Sequence, residues 1–187
     1  MAVKTFTTGE VLTASDTNTY LANAGLVYVT TATFSGSTEV QINNCFSTTY
    51  DRYRIHLDFY GSASTYANLK MRVSGANATN NYYKTGFTTR YNTAAVTVYN
   101  GTNEASLIPV AQYGTTSANS CGSTLEIIYP FSARNTQFQV LAYDPAAIEQ
   151  YNLYAIHAQA LSYDGFAVIP QTGTITGNIR IYGYRTN

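Results

Sequence analysis

The chain has 187 residues, ten basic and ten acidic side chains, and a formal net charge of zero. Charged residues make up 11% of it against a usual share of about 25%, while aromatics reach 14%, with 18 tyrosines and no tryptophan. This balance leaves no electrostatic footprint for nucleic acid or an anionic membrane. The apolar content excludes a disordered tail, no apolar run approaches the roughly 18 residues that span a bilayer, and two cysteines are too few for a disulfide framework.

Residues 1–25, MAVKTFTTGEVLTASDTNTYLANAG, contain the clearest helix signal. Thr13-Ala14-Ser15-Asp16 fits a capping box, with Thr13 as N-cap and Asp16 three residues on. Gly25 suits a left-handed helix end. The spacing predicts a helix from about Ala14 to Asn23, too short to be stable unsupported. It packs either on its own domain or, as an arm, on a partner or another copy. The segment has no apolar block of about 7–15 residues, so a secretory signal is not expected. Folding in a reducing cytosol makes Cys45 and Cys121 free thiols, with a bridge as the alternative. Neither has a basic neighbour in sequence to activate it.

From Leu26 onward the hydrophobic period is two. Tyr53-Arg54-Ile55-His56-Leu57-Asp58-Phe59 alternates apolar and polar residues, as a half-buried strand does. Leu69–Val73, Phe138–Ala142 and Ile179–Arg185 follow the same pattern. Continuous apolar runs at Leu26–Val29, Leu107–Ala111, Leu125–Phe131, Leu153–Leu161 and Phe166–Ile169 read as strands covered on both faces. Ser74-Gly75, Asn80-Asn81, Asp144-Pro145, Asp164-Gly165 and Thr172-Gly173 mark turns, and Asn100-Gly101 marks a hairpin between 96–99 and 105–110. Roughly ten to twelve strands at this spacing predict an all-β fold, an antiparallel β-sandwich of jelly-roll-like topology. The expected division is an arm at 1–25 and a sandwich at 26–187.

Chemistry is sparse along the chain. No two carboxylates sit at a motif spacing. Arg54, His56 and Asp58 share a strand face, which reads as a solvated face rather than a catalytic row. His157 lies in an apolar run and reads as a core imidazole. The two histidines and two cysteines lack ligand spacing, and no phosphate loop or nucleophile elbow is present. No catalytic residue, metal or cofactor is expected. Tyr82-Tyr83, beside Asn80-Asn81, is the candidate exposed aromatic patch, suited to an interface or to sugar stacking. A neutral surface of Thr, Ser, Asn and Tyr implies salt-tolerant contacts.

Residues 5–25, TFTTGEVLTASDTNTYLANAG, resemble the opening segment of small structural proteins of tailed bacteriophages, with a pattern like FT-x-GEVLTASD-x-N-x-YL. The closing stretch Gly177–Arg185 and Tyr50–Ile55 are similar to strands of those proteins. The resemblance implies a virion protein, assembled in the host cytoplasm, with an anchoring arm and a projecting sandwich, as a homotrimer. In the arm, Phe6, Val11, Leu12, Tyr20 and Leu21 become the anchoring residues. The implied partners are copies of the chain and other virion proteins, and a host-surface glycan for an adhesin. A tail-fibre component is the first reading, a capsid decoration or head-fibre protein the second, and a carbohydrate-binding sandwich the third.

Overall fold

The structure, a computed structural model, describes residues 7–11, 13–16, 25–145 and 148–185. Among the described residues, thirteen strands make two antiparallel sheets. The larger contains β1 (Leu26–Ser37), β3 (Arg52–Gly61), β6 (Tyr82–Arg90), β7 (Val96–Glu104), β9 (Ser123–Ile128), β10 (Thr136–Asp144), β11 (Glu149–His157) and β13 (Ile175–Tyr184), in the order β1-β13-β3-β9-β10-β11-β6-β7. The smaller contains β2 (Val40–Ile42), β4 (Thr65–Val73), β5 (Ala76–Asn77), β8 (Leu107–Tyr113) and β12 (Gly165–Pro170). Its order is β2-β12-β4, with β5 and β8 both pairing β4. The chain passes repeatedly from one sheet to the other, so strands adjacent in sequence often lie in different layers. That winding is the jelly-roll-like sandwich the strand spacing predicts.

The alternation read from the sequence places the core. On β3, Tyr53, Ile55, Leu57 and Phe59 are buried while Arg54, His56 and Asp58 face outward. Phe166 and Val168 of β12 meet them from the other layer, with Phe46 bridging Tyr53 and Phe166. Tyrosines tie the layers together by hydrogen bonds as well as area. The Met71 N–H donates to the Tyr82 hydroxyl at 2.8 Å, and Tyr151 donates to Gln112 on β8. Where β13 meets β3, any side chain at Gly177 would run into the Asp58 carbonyl and Phe59, so glycine is required by close approach.

Three expectations need correction. Asn100-Gly101 does not form a hairpin: it lies inside β7, whose pairing with β6 shifts register between Tyr82/Glu104 and Lys84/Gly101. The positive φ falls instead on Asn103, and the chain then changes sheet rather than folding back. Leu26–Val29 is not covered on both faces, because β1 is an edge strand with Leu26 and Tyr28 exposed. Leu153–Leu161 is half strand, half loop; β11 ends at His157, and its outward residues Tyr154 and Ile156 are open to solvent. Of the predicted helix, Ala14–Asp16 form a single helical turn; the remainder lies outside the described residues.

Candidate interaction face

The outer face of the larger sheet divides into two chemically different halves. Cross-strand register aligns its outward side chains in rows running across all eight strands. One row reads Tyr28, Tyr182, Arg54, Glu126, Gln139, Tyr154, Thr85, Asn100 from β1 to β7. The charges sit at the β3–β9 side, and the β10–β11–β6–β7 side carries amides, hydroxyls and apolar groups.

At the charged side Glu126 is the hub. It is 6% exposed, although it points away from the core, because Arg52, Arg54 and Tyr184 close over it. Arg52 Nε donates to it at 2.8 Å, Arg54 Nε at 2.6 Å and the Tyr184 hydroxyl at 2.8 Å. Burial pushes the carboxyl toward neutrality, but the hydrogen bonds from Tyr184, Arg54 and Arg52 outweigh it and hold it below the usual carboxylate range. A carboxylate so engaged ties β9 to β3 and β13 across the outer face. His56 lies one row away, against Tyr182 and the Thr124 hydroxyl. Burial, then Arg54 and Arg180, hold it below its ordinary pKa. It borders a cleft of about 530 Å³ with Asp58, Thr124, Tyr143 and Arg180.

On the other side a groove of about 600 Å³ runs between Tyr83, Thr85, Gln137, Gln139, Tyr154 and Ile156; Lys84 also lines it, but its ammonium is taken up by Glu104 and the Ile108 carbonyl. Around it stand Val98 (75% exposed), Val96 (62%), Leu141 (53%) and Phe87. Side chains of this size stay outside the core because the strands bury their other faces: Leu153, Ala155, Val140 and Ala142 fill the interior. This face is not legible in the sequence, because a strand apolar on both sides reads as doubly covered.

The candidate tyrosines part company here. Tyr82 is 1% exposed and stacks on His157, with ring centroids 4.2 Å apart, so it presents nothing to a ligand; the exposed Tyr82–Tyr83 pair is corrected to Tyr83 alone, half-buried on the outer face and lining the groove. Adjacent strand residues point to opposite faces, so a Tyr-Tyr dipeptide in a strand cannot offer both rings to one side. Among the arm candidates, Val11 is 78% exposed; Phe6, Leu12, Tyr20 and Leu21 lie outside the described residues.

Cys45 and Cys121 are buried free thiols, pushed up to about 12 chiefly by that burial, and are poor nucleophiles. Among the described residues, no three His, Cys, Asp or Glu side chains gather as a metal site, and no helix is long and apolar enough to cross a membrane.

His157 is wholly buried, and its Nε2–H donates to the Asn80 carbonyl at 3.2 Å. Burial lowers its pKa, and the Asn80 bond only partly offsets that. The unfolded chain therefore takes up a proton near pH 6.5 that the folded chain refuses. Stability is complete above that pH and is expected to fall below it by up to about 1.4 kcal/mol per pH unit, until the folded pKa is reached. His56, also held below its ordinary pKa, adds an effect of the same sign. Urea midpoints between pH 7 and 5 check this: the drop should shrink in His157→Gln, and an equal drop in that variant would remove His157 as its source.

No family model, curated protein or solved structure matches this chain.

Proposed function

We propose that the chain is a non-enzymatic structural protein of a bacteriophage particle, a tail-fibre or adhesin-type component. Residues 1–25 hold it to the particle, and the sandwich projects for contact with other copies or with the host surface. The resemblance of residues 5–25 supplies the class. The observation that carries the reading is exposure along the described part of the arm: residues 7–11 and 13–15 are all exposed. That favours the reading of an arm that docks on a partner over that of a helix laid on its own domain. The arm joins the body at Gly25, whose φ is +92°, and leads straight into the edge strand β1, so docking it need not disturb the core. The fully engaged Glu126 and the inert thiols support a structural rather than a catalytic role.

Deleting residues 1–25 is expected to leave a soluble, folded body that no longer incorporates into particles. Normal incorporation of the truncated chain would overturn the anchor. Imaging of labelled particles is expected to place the protein on the tail; a distribution over the head would replace the fibre reading with decoration.

A further inference from the structure

We infer that the charge-free half of the larger sheet's outer face is a contact surface for a second copy of this chain. The outward residues of β6, β7, β10 and β11 include no charged side chain. They offer Val96, Val98, Phe87, Leu141, Tyr154 and Ile156 among threonines, glutamines and asparagines.

Three observations choose a second copy over other partners. The first is charge. A surface that meets its own copy must avoid like charges facing each other, and a patch with none meets that condition in any orientation. A basic or acidic partner would find nothing to pair with there, whereas Arg52, Arg54, Asp58 and Arg180 all lie on the other half of the same face. The second is area. Four neighbouring strands of nine residues make a face about 19 Å by 30 Å, roughly 570 Å² in projection and more once side-chain relief is counted. A stable interface takes about 800 Å² from each partner, which is of the order of this face with its side-chain relief included. The third is the bordering edge. β7 ends the sheet, and the charge of Glu104 at the strand's end is paired with Lys84, beside the register shift; yet its residues 96–103 contain neither charge nor proline, the usual guards of an open edge. Partner cover over this side accounts for their absence.

The inference shares the assembly reading above, but its test needs no particle, so the two can fail separately. The full chain, measured by light scattering after gel filtration at micromolar concentration, is expected to have the mass of at least two chains of 20.4 kDa. That mass should be unchanged between low salt and 1 M NaCl, since little Coulomb attraction holds it. Val98→Glu combined with Leu141→Glu should reduce it to one chain. Leu141→Lys alone should weaken association at least tenfold. Both positions are exposed, so far-UV circular dichroism should stay that of the parent. Thr31→Glu, on the charged half of the same face, should leave the mass unchanged. A wild-type monomer overturns the inference, as does an oligomer that survives the double variant or is dissociated by Thr31→Glu.

Discussion

Replacing Phe166 with alanine is expected to cost the fold about 3–5 kcal/mol. Phe166 lies on β12, which pairs with β2 on one side and β4 on the other. Its ring is wholly buried and stacks on Phe46 at 5.7 Å, and Phe46 in turn meets Tyr53 edge-on at 4.7 Å. Truncation therefore loses transfer energy, leaves a void between the sheets and breaks an aromatic chain that links β3 to β12. The surrounding strands are held in register by backbone ladders and have little freedom to close the gap. Against a total stability of about 5–15 kcal/mol, this is a large share. Urea unfolding should show a lower midpoint with an unchanged slope. Leu161→Ala, at an exposed loop position, should stay within about 0.5 kcal/mol of the parent. A Phe166→Ala midpoint equal to the parent's would mean that this part of the core repacks freely.

Residues such as Phe166 were legible in the sequence because local chemistry and burial agree there. Tyr53–Phe59 alternates in the sequence as it does in the sheet, and Phe166–Ile169, apolar throughout, is the central strand of the smaller layer. On β6 the same reasoning had nothing to use. Its inward set is Tyr82, Lys84, Gly86 and Thr88, and its outward set is Tyr83, Thr85, Phe87 and Thr89. Neither set is clearly the more apolar, so hydrophobicity assigns no face, and only pairing with β11 settles which tyrosine is buried. On β11 the difficulty is reversed: Leu153 and Ala155 inward, Tyr154 and Ile156 outward, both faces apolar. A run like that reads as doubly covered, and the structure covers one face. The candidate interaction face was therefore hidden by the apolar character that defines it. Glu126 was hidden differently. It sits between Leu125 and Ile127 in an apolar run, and its partners Arg52, Arg54 and Tyr184 come from strands more than fifty residues away. Spacing along one chain carries no trace of such a meeting.

Arg72 poses the same problem of distance and carries the other large expected effect. Its alternation in Leu69–Val73 puts it on the polar side of β4, yet it is 3% exposed. The guanidinium is enclosed by acceptors from three segments. Nε donates to Asn43 Oδ1 at 2.9 Å, and one terminal nitrogen donates to Gln41 at 3.0 Å and to the Gly75 carbonyl. The other donates to Asn77 and lies 3.7 Å from the Glu39 carboxylate. This single side chain therefore joins β2, β4 and the β4–β5 turn on the outer side of the smaller sheet. Arg72→Met keeps much of the stem and removes every donor. The asparagine and glutamine oxygens and the turn carbonyl would then be left without their partner, and Glu39 without its counter-charge. The expected loss is about 3 kcal/mol, at the lower end for a broken buried pair because Glu39 keeps some access to water. Arg72→Lys should restore less than half of it, since one ammonium cannot reproduce the planar fork that reaches acceptors on opposite sides. The difference between Arg72 and Met should persist in 1 M NaCl, because so enclosed a charge is little screened. Chemical denaturation of the three proteins at low and high salt measures all of this. Full rescue by lysine would show that charge alone matters there, and a Met variant as stable as the parent would show that the smaller sheet holds without the network.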